Sequence, residues 1–445
     1  MESIWSKSCT FPERERLDGD HVVQVAVIGS GMAGLLTAYL LKKQGLDVAV
    51  LEGSTTASGM TKNTTAKITC QHSLIYRQLI DNFGVEKAAQ YAWANQRAIK
   101  MYRDIIAENN IDCELETKSA YLYTLEDVKP LEDELDAART LKIEAELTTK
   151  TGLPFPVKSA LRFADQAQFN PLKFLKAISA DLTIYEHTMA REIRGDVVIT
   201  DHGRVTADQI VIASHFPFIN VPGWYFARMH QERSYVLALE NAAQVDGMYL
   251  SIDTNNAYSF RNYGDLLLFG GGAHRSGKHP QASSYEKLRK AAKKFYPKSK
   301  EVCNWSAQDC VTWDNVPYIG RFAESTPNLF VTTGFKKWGM STSMASAMIL
   351  TDMICGREND CADVFSPQRF NMGASAKNLF TDAGQSVAGL TTGLFSAPSR
   401  RCAHLGCRLQ WNPDENTWDC PCHGSRYTKE GKLINNPALK GLKHE

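Results

Sequence analysis

What this chain has little of narrows its class before any motif is read. Its charges nearly cancel, 50 Lys and Arg against 49 Asp and Glu for a net charge of +1. No overall field therefore draws it to nucleic acid or to an anionic membrane. It has no unbroken apolar run of the roughly eighteen residues that a membrane helix needs. The nearest stretch, Val22 to Leu41, reads better as a strand and a helix around a glycine turn. The first residues, Met1-Glu-Ser-Ile-Trp-Ser-Lys7, hold neither an apolar signal core nor a twin-arginine pair, so a cytoplasmic protein without a membrane span is expected. Metal-ligand spacing is missing from most of the 11 cysteines: Cys9, Cys70, Cys113, Cys303, Cys310, Cys355 and Cys361 read as buried thiols in a reducing compartment. The remaining composition is that of an ordinary globular protein of two or three domains.

The other four cysteines are patterned. The chain reads Cys402-Ala-His404-Leu-Gly-Cys407 and then Cys420-Pro-Cys422-His423-Gly-Ser425-Arg-Tyr427. Each half offers a thiolate, an imidazole and one extra cysteine. Cys and His pairs at such spacings also build structural zinc sites, although zinc has no use for the extra pair or for the Gly-Ser-x-Tyr continuation. The pattern resembles the Rieske iron–sulfur family. That resemblance implies a [2Fe–2S] cluster with Cys402 and Cys420 on one iron and His404 and His423 on the other. It also implies a Cys407–Cys422 disulfide, and hydroxyl donors Ser425 and Tyr427 to the cluster sulfurs. Imidazole in place of two thiolates leaves such a cluster less negative and raises its potential to about −150 to +300 mV, against about −400 mV for an all-Cys cluster. One-electron transfer is the implied task. A Rieske-type oxygenase is disfavoured, because no His/carboxylate set for a mononuclear iron stands out.

A second cofactor is written near the start. The apolar run Val22–Ile28 leads into Gly29-Ser-Gly31-Met-Ala-Gly34, then a helical stretch Leu35–Gln44 and a strand Asp47–Leu51 ending at Glu52. Glycines between strand and helix with an acidic residue beyond form the dinucleotide fingerprint: Gly29 for the turn, Gly31 for approach of the pyrophosphate, Gly34 for close packing, Glu52 for ribose hydroxyls. NAD and FAD share this fingerprint. The later sequence resembles the D-amino-acid-oxidase-like flavoproteins, in Ser58-Gly-Met-Thr-Lys-Asn-Thr-Thr65-Ala-Lys67-Ile-Thr, in Ala213-Ser-His215, and in Asp314-Asn-Val-Pro-Tyr-Ile-Gly320 followed by Gly334-Phe-Lys-Lys-Trp338-Gly339-Met340. The resemblance covers roughly residues 20–370 and implies FAD, with Thr65, Lys67, Gly334, Trp338, Gly339 and Met340 beside it. The motif order, with Ser3-Ile-Trp5 and Thr65-Ala-Lys67-Ile-Thr-x-x-His72, resembles bacterial FAD-dependent oxidoreductases with a C-terminal Rieske domain.

The expected fold is α/β: a Rossmann-like FAD-binding domain with an interleaved α+β substrate domain, and a small all-β Rieske-type domain at the C-terminus. Residues 1–370 make the oxidoreductase, with FAD binding at about 20–75, 155–220 and 325–370. The substrate or cap domain takes about 76–154, read as helical, and 221–324, read as strand-rich. Residues 371–400 read as a connector and 401–445 as a short Rieske domain that must lean on its neighbour for stability. Lys287–Lys300 is basic but has a helix period, as a solvated surface helix would.

Residues for the chemistry are marked less sharply. Lys67 is a candidate to stabilise reduced flavin, Arg261 to bind a substrate carboxylate as a bidentate donor, and His274, followed by Arg275, to reach flavin or substrate from the glycine-rich turn Gly270–Gly272. His72, His215 and Trp338 are candidates by position, although His72 reads more readily as a satisfied structural histidine. The expected function is an FAD-dependent dehydrogenase that oxidises a small amine, amino acid or hydroxy acid and passes electrons through the cluster to a one-electron carrier protein. The alternatives are a reductase with the cluster feeding flavin, and a redox-sensing or interaction flavoprotein.

Overall fold

The apolar run before the glycine turn becomes the strand His21–Ile28, whose last four residues are buried. A strand covered on both faces must be apolar throughout this stretch, as parallel strands in α/β sheets are. In the computed structural model, which describes residues 2–255, 257–278, 283–369 and 400–442, this strand is the middle of an eight-stranded sheet. The order is Tyr318–Arg321, Leu329–Thr333, Arg204–Ile212, His21–Ile28, Val48–Leu51, Thr183–Tyr185. All neighbours are parallel except the edge strand Tyr318–Arg321. The segment ending at Ala213 contributes one long parallel strand, Arg204–Ile212, with the hairpin of Ala190–Arg194 and Val197–Thr200 leaning on it. Helices Met32–Lys43 and Gly339–Ile354 pack against each other beside this sheet.

A second, nine-stranded sheet carries Lys300–Thr312, Met229–Glu240, Leu266–Arg275, Ser259–Tyr263, Met248–Ser251, Glu116–Thr124, Ser159–Gln168 and Lys67–Ile68 in that order, with Glu146–Thr148 also on Ser159–Gln168. Pairing redraws the expected boundaries. Ser159–Gln168 and Lys67–Ile68 belong to this sheet and not to the FAD sheet, whereas Tyr318–Arg321 joins the FAD sheet. The stretch 76–154 holds the helix Tyr76–Glu108, kinked at Gly84, and the helix Lys129–Thr140. It also holds the buried strand Glu116–Thr124, whose Ala-Tyr-Leu-Tyr-Thr run suits a sheet interior better than a helix. The basic stretch forms the helix Ser284–Phe295, with Tyr285, Leu288, Ala291 and Ala292 buried on its inner face.

Residues 60–68 run across the face of this second sheet, held by Trp305 Nε1 on the Asn63 carbonyl (2.9 Å), Arg261 on Thr65 and Ala66, and the Lys67↔Gln168 pairing. This diagonal is the seam between the two sheets. The N-terminal helix Ile4–Ser8 closes over it: Trp5 is fully buried and donates from Nε1 to the Thr64 carbonyl at 2.7 Å.

The C-terminal module has four short antiparallel strands, Gln410–Asn412, Thr417–Asp419, Arg426–Tyr427 and Leu433–Asn435. Its core is small: Cys402, Cys407, Leu409, Cys420, Cys422, Tyr427 and Ala438. The stretch read as a connector, 371–400, lies outside the described residues except for Arg400. Among the described residues no helix is long and apolar enough to cross a membrane.

Candidate flavin and iron–sulfur sites

The glycine turn is built as the fingerprint demands. Gly29 has φ +107, and a Cβ there would stand 2.7 Å from the Ala213 carbonyl oxygen; one on Gly34 would collide with the Gly29 carbonyl. Only glycine lets the strand end and helix start meet this closely. Gly31 caps the helix Met32–Lys43 without a side-chain hydrogen bond and faces open space apart from Thr61 Oγ1. That leaves a helix N-terminus suited to a diphosphate. Glu52 Oε2 accepts from Ser30 N (2.9 Å) and Ser30 Oγ (2.7 Å), and Oε1 from Ser54 N (2.8 Å), which fixes the carboxylate at the strand end. These residues fit a dinucleotide cofactor.

At the other side of the cradle Gly334 has φ +80 and Trp338 caps the helix that begins at Gly339. Met340 is buried, and its carbonyl accepts from Tyr102 OH at 2.9 Å. Trp338 stacks on His72, centroids 4.9 Å apart. His72 is structural: Nδ1 meets Tyr91 OH at 2.6 Å, Nε2 meets the Thr69 carbonyl and Ser341 Oγ, and burial drives its pKa down to about 3. Lys67 Nζ reaches the Tyr249 carbonyl at 3.2 Å and Ser259 Oγ at 3.4 Å; burial, then Arg261, lower its pKa to about 7. Lys67, His215, Asp309 and Lys336 all retain some accessible surface, yet burial is the largest cause of each displaced pKa.

The candidate residues from the sequence separate at this point. Arg261 adjoins Lys67 but is 1% exposed, and its donors go to the carbonyls of Thr65 (2.7 Å), Ala66 (2.8 Å) and Asn262 (2.9 Å). It pins the loop carrying Lys67, which is a different task from the substrate carboxylate contact expected of it. His274 bonds Tyr235 OH at 2.9 Å and the Arg275 carbonyl, and its charged neighbours are Arg233, Asp414 and Asp419. It therefore sits at the junction with the C-terminal module, not beside Lys67. His215 has φ +69 and its pKa is lowered by burial to about 4.

In the C-terminal module Cys407 and Cys422 are bonded, and Cys420 Sγ lies within 4.8 Å of both their sulfurs. Cys402 and Cys420 are free, buried thiols. The hydrogen bond between them draws Cys402 down to about 6 and pushes Cys420 up. Tyr427 OH accepts from Ala403 N at 3.0 Å and lies 3.3 Å from Cys402 Sγ. Ser425 Oγ accepts from Ala438 N at 3.0 Å. The two imidazoles lie 4.9 Å apart, centroid to centroid. His404 Nε2 donates to Asn220 Oδ1 at 2.8 Å, and its Nδ1 is buried without a hydrogen-bond partner. An imidazole whose one nitrogen is fixed by an outer partner while the other stands bare is arranged as a metal ligand. Two thiols, two imidazoles and a hydroxyl beside one of the thiols fit a [2Fe–2S] cluster.

The histidine edge of this module faces the flavoprotein. Gln231 Nε2 donates to the His423 carbonyl (2.7 Å), Gln308 Nε2 to the Gly424 carbonyl (2.7 Å), and Asn436 Nδ2 to the carbonyls of Ser214 and Phe216 (2.6 Å each). Phe216 and Phe226 set their rings against His423, and Phe226 also against His404. A buried charge cluster locks the seam: Arg233 reaches Asp419 at 3.3 Å and Glu415 at 3.9 Å, while Glu415 also accepts from Tyr285 OH and Ser306 Oγ, each at 2.9 Å. None of Asn220, Gln231, Arg233, Gln308 or Asn436 carries a sequence signal. They act across the fold, and no local spacing marks them.

A dinucleotide cradle and a Cys₂His₂ module seated on the same two-sheet frame define a flavin and iron–sulfur oxidoreductase. The chain belongs to the FAD dependent oxidoreductase family, whose model matches residues 24–353, and the Rieske [2Fe-2S] domain model matches residues 366–444. The Rieske match thus takes in the stretch read as a connector. The chain is 37% identical to "Putative Rieske 2Fe-2S iron-sulfur protein YhfW" of Bacillus subtilis (strain 168), over 99% of this chain and 97% of that protein. Its fold is shared with glycine oxidase from Geobacillus kaustophilus (19% identity, TM-score 0.63, 79% of this chain and 99% of that one). It is also shared with L-proline dehydrogenase from P. horikoshii (16% identity, TM-score 0.67, 80% of this chain and 99% of that one). FAD and a [2Fe–2S] cluster are its cofactors.

Proposed function

We propose that this protein oxidises a small amine, amino acid or hydroxy acid and delivers the electrons singly, by way of its Rieske module, to a one-electron carrier protein. Bound FAD supplies the two-electron chemistry and the cluster the one-electron chemistry. The observation that carries the reading is the seating of the cluster histidines against the flavoprotein, with Asn436 holding the Ser214–Phe216 turn and Gly29 of the cofactor cradle packed on Ala213 and Ser214. The turn that closes the FAD cradle is thus the turn that touches the cluster ligands.

Lys67 is the residue we assign to the flavin. Positive below about pH 7, it would oppose negative charge developing on a reduced flavin. Arg261 acts through it, by pinning the Thr65–Lys67 loop. The fold neighbours named for glycine and L-proline favour an amino acid or a related amine as substrate. Anaerobic photoreduction tests the electron path: flavin bleaching followed by loss of the oxidised cluster's visible absorbance is expected. A cluster that stays oxidised beside fully reduced flavin under all conditions refutes the path.

A further inference from the structure

The loop that meets the cluster histidines continues to the surface. After Asn220, whose side chain holds His404, the chain runs Val221-Pro-Gly-Trp224-Tyr-Phe226. Val221 is 59% exposed and Trp224 54%. Single exposed apolar side chains are ordinary, but two of them within four residues of a cofactor contact form a patch. Trp224 also holds a left-handed backbone, φ +53, a conformation uncommon for a bulky residue and maintained by its surroundings. Here the Trp224 amide donates to the Asn220 carbonyl (2.9 Å) and its carbonyl accepts from Ala227 N (2.9 Å).

Inward from Trp224 the aromatic contacts are continuous. Its ring centroid lies 5.6 Å from that of Phe226, which lies 5.8 Å from His423 and 6.4 Å from His404. Inside the patch, therefore, one ring separates the surface from both cluster imidazoles.

The two segments joined by the Asn220–His404 bond carry charge of one sign. Residues 209–231 contain Arg228 and no acidic residue, and residues 400–413 contain Arg400, Arg401 and Arg408 and no acidic residue. Arg401 and Arg408 face each other across the foot of the loop whose tip is His404, and Arg400 and Arg408 are exposed. An apolar centre with a charged margin is the anatomy of a transient protein interface, and a basic margin steers an acidic partner.

We propose that Val221 and Trp224, with the arginines at the foot of the His404 loop, form the docking site for an acidic one-electron carrier protein, Phe226 bridging the tryptophan to both cluster histidines. The proposal rests on the electron-delivery reading above. In the step it serves, the reduced cluster loses one electron, the carrier's oxidised centre gains it, and no bond is made or broken.

The test uses the holoenzyme with two probes, an acidic blue-copper protein and a basic c-type cytochrome, both one-electron acceptors at positive potential. With all centres oxidised, calorimetric titration should show the acidic probe binding more tightly than the basic one, and more weakly as salt is raised. Trp224→Ala should weaken the acidic probe at least about tenfold, as truncation of a central interface tryptophan does. Arg408→Glu, a surface change that leaves the loop core intact, should weaken it as well. In stopped flow the photoreduced cluster's oxidation by the acidic probe should slow in both variants relative to its oxidation by ferricyanide. Binding and relative rate that ignore both substitutions overturn the docking site while leaving the delivery reading standing. So does a second copy of the chain on the patch, detected as self-association that Trp224→Ala abolishes. A cluster that never reduces beside reduced flavin overturns the delivery reading itself.

Discussion

Replacing Arg233 by alanine should loosen the Rieske module from the flavoprotein more than any exposed charge change could. Arg233 and Asp419 are both 0% exposed, 3.3 Å apart. Removing one member of a buried pair costs about 3–5 kcal/mol, because the other charge is left in a dry site. Asp419 keeps Arg426 at 3.4 Å and hydrogen bonds from Asn412 and Thr417, so the lower end, about 3 kcal/mol, is expected. With a urea slope of about 1–3 kcal/mol per molar, the midpoint for loss of cluster absorbance should fall by about 1–3 M. Flavin fluorescence, followed in the same titration, should report the flavoprotein and shift less. Arg194→Ala is the control: its partner Glu192 is 2.8 Å away on the surface, where a pair contributes about 0–1 kcal/mol. Acid adds a second signature. Burial opposes ionisation of Asp419, but Arg233 and Arg426 outweigh it and hold the carboxyl below its ordinary value. Its stabilisation is then complete above the unfolded value and is lost as pH falls through the folded one. Without Arg233 the folded value rises, and cluster loss should begin at a higher pH. A midpoint shift no larger than that of Arg194→Ala would refute the reasoning, for it would mean that the seam charges contribute nothing to docking.

Tyr427→Phe removes the hydroxyl 3.3 Å from Cys402 Sγ and should lower the cluster potential. A hydrogen bond to a charged group is worth about 1.5–3 kcal/mol, so a drop of about 65–130 mV is expected for the one-electron couple; potentiometric EPR with no change would dismiss that donor. Lys67→Met should erase a pH-dependent inflection near 7 in the flavin midpoint potential, since the ammonium is charged below its lowered pKa and neutral above it; an inflection that survives assigns it to another group. Gly34→Ala forces a methyl into the Gly29 carbonyl and should weaken FAD binding by about tenfold or more, read as flavin content per folded chain. Full flavin content would contradict the close approach assigned to that glycine.

Both cofactors were legible because their requirements are local. The Gly29–Gly34 turn answers to a strand, a helix start and a diphosphate within a few residues, and Cys402–Tyr427 to a cluster held by two short loops. Lys67 could be proposed from its place in a flavin-contacting segment. Arg261 shows where such reading stops. An arginine ending a strand suits a carboxylate equally well, and only the course of residues 60–68 over the second sheet gives its donors the carbonyls of Thr65 and Ala66. Strand membership was ambiguous for the same reason. Ser159–Gln168 has the burial of an FAD-sheet strand, yet it pairs with Glu116–Thr124, a choice made by partners far apart in sequence.

The sequence by itself determined the two cofactors and the α/β frame that binds the first, because side-chain chemistry and short-range geometry are enough to specify them. The tertiary structure alone decided how the two halves meet. Asn220, Gln231, Arg233 and Gln308 converge on the Rieske loops only after both sheets have formed; the Gln231 contact with His423 spans 192 residues and the Asn220 contact with His404 spans 184. Long-range burial and charge pairing set that docking, and neither leaves a spacing that can be read along the chain.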